Sequence, residues 1–158
     1  MKRQSTYLSA SPAETERIAA EIAADVRPGD YIALFGEMGA GKSVLTRAAA
    51  RAMGVDGPVP SPTFTILNIH EGRTMKLYHF DLYRLSDADE LYGMGLDEYI
   101  PAEDGASFIE WPQMAQEAMP EDALHVDIAY AEDGAARSSV TATERSSLLC
   151  AAARPSTC

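Results

Sequence analysis

A chain of 158 residues, 46% hydrophobic and 23% charged, carries enough apolar material to bury one core and has the composition of a soluble globular protein. A net charge of −11 with only three lysines excludes a broad grip on a phosphate backbone, which rests on many Lys and Arg contacts. No apolar run approaches the roughly 20 residues of a membrane span, and the two cysteines, Cys150 and Cys158, sit together near the end, against a disulfide framework or zinc site.

The first ten residues include Lys2 and Arg3 but lack the apolar stretch of a secretion signal, so the expected compartment is the cytoplasm. Ser11-Pro12-Ala13-Glu14 predicts a helix start, with Ser11 as cap, Pro12 in the first turn and Glu14 closing a capping box. Ile18, Ile22 and Val26 then recur at four-residue spacing as a core-facing stripe. Pro28-Gly29-Asp30 ends that helix, and Tyr31 to Phe35 reads as a short buried strand.

Gly36-Glu37-Met38-Gly39-Ala40-Gly41-Lys42-Ser43 follows at once and fills every fixed position of G-x-x-x-x-G-K-[ST], the P-loop. Its context is right, because Val44 to Met53 is rich in helix-forming Ala, Leu and Arg. Glycines let successive backbone N–H groups close on a phosphate, and the helix adds its positive dipole end. Lys42 is expected to reach the β- and γ-phosphates, and the Ser43 hydroxyl to take a place on Mg²⁺. Glu37, at a variable position of the motif, is expected to face solvent.

Gly54 to Pro62, with Pro58 and Pro60, is a loop. Phe64 to His70 and Thr74 to Asp81 read as two strands around a three-residue turn, Glu71-Gly72-Arg73. A turn centred on Gly72 sets Thr63 opposite Asp81 and pairs Phe64 with Phe80. Ser86-Asp87-Ala88-Asp89 predicts a second capped helix through Glu90 and Leu91, broken by Gly93 and Gly95. Ala106 to Glu110 is a further strand, and Gln113 to Met119 a short helix stopped by Pro120. Leu124 to Tyr130 and Ala136 to Thr143 suggest a last hairpin around Asp133-Gly134. From Arg145 the chain is Ser/Ala-rich without apolar periodicity. The expectation is one domain over residues 1–144 and a frayed tail over 145–158.

A P-loop needs acids: a metal ligand and a group to orient the attacking water. In open α/β sheets ligands bind beyond the carboxyl ends of the strands, so the candidates are acids that terminate apolar strands. Asp81, after Leu77-Tyr78-His79-Phe80, and Glu110, after Ser107-Phe108-Ile109, fit. Asp30, Asp56 and Asp97 read as turn or surface acids. His79 shares a strand face with Asp81; a buried, hydrogen-bonded structural role is expected for it, with contact to a metal's water shell as the alternative. Trp111 lines the nucleotide pocket, meets a partner or belongs to the core.

Guanine-reading GTPases use Asn-Lys-x-Asp, but the single asparagine, Asn68, precedes Ile69. The arginines after the P-loop are scattered, unlike the lid of a small-molecule kinase, and no Leu-Ser-Gly-Gly signature of a transporter ATPase is present. What survives is a small ATPase or ATP-operated switch acting with other proteins. A small-molecule kinase and a non-hydrolysing assembly module stand as alternatives.

The P-loop, Ser61-Pro62-Thr63-Phe64, Tyr78-His79-Phe80-Asp81-Leu82-Tyr83-Arg84-Leu85, Glu90-Leu91 with Gly95 and Glu98-Tyr99, and Ile109-Glu110-Trp111-Pro112 together resemble the TsaE family. These are bacterial ATPases of tRNA threonylcarbamoyladenosine biosynthesis. The resemblance runs in order from about Ser11 to Tyr130. It implies a P-loop NTPase-like three-layer α/β/α fold, with a central mostly parallel sheet and antiparallel hairpin strands. It also implies ATP and Mg²⁺ as ligands, weak hydrolysis alone, and TsaB- and TsaD-type partners that modify adenosine 37 and hold the tRNA in this protein's place. Carried over by residue, Gly36 to Ser43 bind phosphate through Lys42, Ser43 and Glu110 hold magnesium, Asp81 is a catalytic or switch acid, and Thr63 belongs to a nucleotide-sensing loop. The family often has Asp-Leu at Glu37-Met38 and Thr at Ser43; serine keeps the hydroxyl.

Overall fold

The computed structural model describes residues 3–37, 41–120, 124–130 and 138–144. Met38, Gly39 and Ala40 of the P-loop, the Asp133-Gly134 turn and the 145–158 tail lie outside the described residues. In chain order the elements are β1 (Arg3–Ser9), α1 (Pro12–Ala24), β2 (Tyr31–Phe35), α2 (Lys42–Ala52), β3 (Leu67–Glu71), β4 (Lys76–Asp81), α3 (Ala88–Gly93), β5 (Gly105–Glu110), β6 (Leu124–Tyr130) and β7 (Ser138–Glu144). Short 3₁₀ segments at Leu96–Tyr99 and Pro112–Ala118 flank β5. The second stands where a short helix was expected over Gln113 to Met119, and non-helical backbone at Ala115 breaks it.

The seven strands form one sheet in the order β1-β7-β6-β2-β5-β4-β3. Its centre, β6-β2-β5-β4, is parallel, and β3, β7 and β1 pair antiparallel at the flanks. β1 has no counterpart in the sequence expectations, since Thr6 and Tyr7 are its only strand-favouring β-branched and aromatic residues and its ladder partner, β7, is distant in sequence.

Alternation along the parallel strands sorts side chains to two faces. Ile32, Leu34, Leu77, Phe108 and Val126 meet Ile18, Ile22 and Val26 from α1 and its C-terminal turn and Leu45, Ala48 and Ala49 of α2 in one core. Tyr31, Ala33, Tyr78, Phe80 and Ile109 pack beneath Ala88 and Leu91 of α3, with Ile100, Ala102 and Ala115, in a second core on the other face. The result is three layers, as the P-loop NTPase-like expectation requires.

α1 begins as its sequence predicts. The Ser11 side chain accepts from the Glu14 N–H at 3.2 Å, and the Glu14 carboxylate accepts from the Ala10 N–H at 2.6 Å, one residue before the box position. α3 is capped by Asp87, which accepts from the Glu90 N–H at 3.2 Å.

The β3–β4 hairpin differs from its predicted register. The ladder pairs Leu67 with Phe80, His70 with Leu77 and Glu71 with Lys76, which leaves four residues, Gly72 to Met75, in the turn. Phe64 stands 78% exposed and does not pair with Phe80, and Thr63 lies before the strand. The cause is tertiary. The Arg73 N–H bonds the Met53 carbonyl at the end of α2 at 2.8 Å, so the turn is docked on that helix. A Cβ on Gly72 would meet the Met75 and Met53 carbonyl oxygens at 2.4 and 2.9 Å, so this docking needs glycine.

Candidate functional site

The site lies at the carboxyl ends of the parallel strands, where β2 passes through the P-loop into α2. Gly41, the residue before the helix, has φ of 110°, in the left-handed region that favours glycine. No side chain caps this terminus. The first-turn N–H groups of α2 therefore have no intrahelical acceptors and can bind an anion.

Lys42 opens the helix and is buried. Its ammonium donates to the Gly36 carbonyl at 2.5 Å and lies 3.7 Å from the centroid of the Trp111 ring. Burial pulls this ammonium below the ordinary lysine value, while the Glu110 and Asp81 charges push it back up. Glu37 is exposed, as expected.

Both predicted acids arrive together. Asp81 and Glu110 are register partners at the ends of parallel β4 and β5, so their side chains leave the same face, toward α2. Both are buried. The Ser43 hydroxyl lies 3.2 and 3.4 Å from the two Glu110 carboxylate oxygens. His79, two residues before Asp81 on that face and fully buried, brings its Nε2 within 2.6 Å of Glu110 Oε2. The expectation of a buried, hydrogen-bonded histidine is met, and its bond goes to a candidate site residue.

Thr63 also reaches the site, by another route than hairpin pairing. The Asp81 N–H bonds the Ile66 carbonyl at 2.9 Å, and the Ile66 N–H bonds the Pro62 carbonyl at 2.7 Å. Ile66 itself has φ of 69°. This tight turn folds residues 62–66 back on themselves, and the Thr63 hydroxyl donates to Asp81 Oδ2 at 3.2 Å. The other oxygen, Oδ1, accepts from the Tyr83 N–H at 3.0 Å. Of the acids set aside, Asp30 serves a turn, accepting from the Arg27 N–H at 2.7 Å, while Asp56 and Asp97 are exposed.

These groups line a cavity of about 340 Å³ whose walls include Lys42, Ser43, Thr63, Asp81, Glu110 and Trp111. Gly41, Val44, Ser61 and Tyr83 complete it; Ser61 and Tyr83 stand in the segments that resemble the family but were given no site role by sequence. Tyr83 packs on Trp111 with ring centroids 5.0 Å apart. Its signal was its place two residues after Asp81. Trp111 both lines this cavity and packs against the second core; its φ of 58° turns the chain sharply just past Glu110.

Among the described residues no group of three His, Cys, Asp or Glu side chains is disposed to hold a metal ion. Ser43 and Glu110 fit a different pattern, a hard-oxygen pair beside a phosphate-binding helix terminus. Mg²⁺ is held this way, by one or two protein oxygens with phosphate and water completing its shell.

The family model described as "Threonylcarbamoyl adenosine biosynthesis protein TsaE" matches residues 9–139. The Bacillus subtilis protein named tRNA threonylcarbamoyladenosine biosynthesis protein TsaE is 36% identical over 149 residues, 94% of this chain and 92% of that one. The Haemophilus influenzae protein of the same name is 41% identical over 100 residues, 63% of each. Among solved structures, Bacillus subtilis YdiB superposes with a TM-score of 0.78 at 33% identity, covering 91% of this chain and 87% of that one. No helix among the described residues is long and apolar enough to cross a membrane. With the P-loop helix and the two strand-end acids disposed as the motif requires, and with these matches over most of its length, the chain belongs to the TsaE family.

Proposed function

We propose that this protein is a Mg²⁺-dependent ATPase of tRNA threonylcarbamoyladenosine formation, acting in the cytoplasm on TsaB- and TsaD-type partner proteins and meeting tRNA only through them. The carrying observation is the convergence of the Ser43 hydroxyl and the Glu110 carboxylate, 3.2 Å apart, at the uncapped start of α2. The names of the relatives support the pathway. The net charge of −11 supports the division of labour, because so acidic a chain is poorly suited to holding tRNA.

In this reading Lys42 and the first-turn N–H groups of α2 take the phosphates, and Gly36 to Gly41 wrap them. Ser43 and Glu110 would hold the cation, which would neutralise charge developing on the phosphates. Asp81, fixed by Thr63 and the Tyr83 N–H, orients the water that attacks the terminal phosphorus and displaces ADP, leaving inorganic phosphate. Release of that phosphate frees the Thr63 loop, and partners read the change as an order–disorder switch.

The test is the modified-adenosine content of tRNA after depletion of the protein, with rescue by wild type and by Lys42→Ala. Depletion should lower it, and only wild type should restore it. In vitro, Glu110→Ala should keep part of the nucleotide binding and lose Mg²⁺-dependent phosphate release. Full turnover in that variant would overturn the assignment of Glu110. Restoration of the modified adenosine by Lys42→Ala would remove nucleotide binding from the function.

A further inference from the structure

Glu110 is buried between two strands, and something must decide which of its oxygens faces the cavity. We propose that His79 is a positioning residue that holds Glu110 Oε2 and so presents Oε1, beside the Ser43 hydroxyl, to the divalent cation. The inference rests on the reading of Ser43 and Glu110 as cation ligands.

The geometry is specific. His79 Nε2 lies 2.6 Å from Oε2, whereas Ser43 Oγ is nearer to Oε1, at 3.2 Å, than to Oε2, at 3.4 Å. A carboxylate only accepts, so the shared proton sits on Nε2, and the short bond saturates the lone pair that would otherwise compete for the metal. β4 and β5 enforce the contact. Asp81 and Glu110 are paired residues, which sets His79 diagonally across from Glu110 on the same face, within reach of a long side chain.

A packing role alone does not account for an imidazole here. The side chain is 0% exposed, next to the core formed by Leu77 and Phe108, where an aliphatic group would fill the space without polar atoms. Moreover, Nδ1 is buried without a hydrogen-bond partner among the described residues. Leaving one ring nitrogen unsatisfied is a cost, and it is offset only if the other nitrogen has a use. Outer groups that orient a ligating carboxylate tune metal affinity in this way.

The test uses the full-length protein with His79→Leu and His79→Gln. The amide nitrogen of glutamine can stand where Nε2 stands, whereas leucine fills the volume and donates nothing. Trp111 is the only tryptophan and lines the cavity, so its fluorescence reports binding of a non-hydrolysable ATP analogue. Without Mg²⁺, both variants should bind the analogue as wild type does. In a Mg²⁺ titration of the nucleotide-bound protein, the half-saturating concentration should rise about 10- to 100-fold for His79→Leu, the range for loss of a group orienting a metal ligand, and return toward wild type in His79→Gln.

A wild-type Mg²⁺ response in His79→Leu would overturn the inference while leaving the proposed function standing. Equal loss of Mg²⁺-free binding and of melting temperature in both variants would reduce His79 to a core residue and overturn it too. Absence of any Mg²⁺ response in wild type would instead overturn the cation reading of the site itself, and the inference with it.

Discussion

Two carboxylates stand at opposite ends of β5, and they have different fates. Asp104, just before the strand, accepts from the Tyr78 hydroxyl at 2.5 Å and pairs with the Lys76 ammonium at 3.2 Å. Glu110, at the other end, meets His79 and Ser43. Each acid therefore has a partner on β4 and a second polar group. Burial separates them: the Asp104 side chain is 55% exposed and the Glu110 side chain 4%. Tyr78 and His79 are consecutive residues and leave opposite faces of the sheet, the first into the α3 core and the second toward α2. Partnership by itself therefore does not mark a functional acid. What marks it is a buried position at the carboxyl end of a parallel strand, beside a helix terminus that can hold an anion.

Substitutions at the two ends can break this contrast. The largest effect is expected from Glu110→Gln, which keeps volume and removes the charge: Mg²⁺-dependent phosphate release should fall by about 100-fold, or roughly 2.7 kcal/mol of barrier. A turnover within error of wild type would erase the distinction between the two acids. Next, Thr63→Val deletes a hydroxyl bond to Asp81 and should slow turnover by about 10-fold, in the range for a hydrogen bond to a charged group, with nucleotide affinity kept. An equal loss in affinity would assign Thr63 to binding instead.

The opposite end should respond in stability alone. Gly72→Ala drives a Cβ into two carbonyl oxygens and should cost about 1–3 kcal/mol, seen in denaturant unfolding, with unchanged Mg²⁺ dependence. The smallest effect belongs to Asp104→Asn. The Tyr78 hydroxyl, and after it Lys76, holds the Asp104 carboxyl below the ordinary carboxylate value, while partial burial opposes them. A folded-state value below the unfolded one contributes stability above the unfolded value that is lost as pH falls through the folded one. The melting-temperature gap between wild type and Asp104→Asn should therefore be present at neutral pH and close under acid conditions. A gap that widens on acidification would reverse the assignment.

Much of this was legible in order along the chain. The α1 cap, the P-loop and the two strand-end acids depend on residues within a few positions of one another. Short-range sterics, capping and alternation fix what such segments do. The hairpin shows where that reasoning stops. A three-residue turn about Gly72 was the local solution, but docking on Met53 at the end of α2 widened it and shifted the whole register. Thr63 still meets Asp81, through the tight turn at Ile66 and not through strand pairing. β1 carries little local strand signal, and its ladder partner, β7, is remote in sequence.

Local residue order alone places a phosphate-binding loop between a buried strand and a helix, and sets Asp81 and Glu110 at strand ends. Those are properties of local backbone chemistry. Long-range packing makes the two acids register partners facing α2, sets Trp111 against Lys42 and brings His79 to Glu110. These contacts join residues from separate strands and loops. Their geometry follows from sheet order and register, which summed packing sets and no single segment encodes.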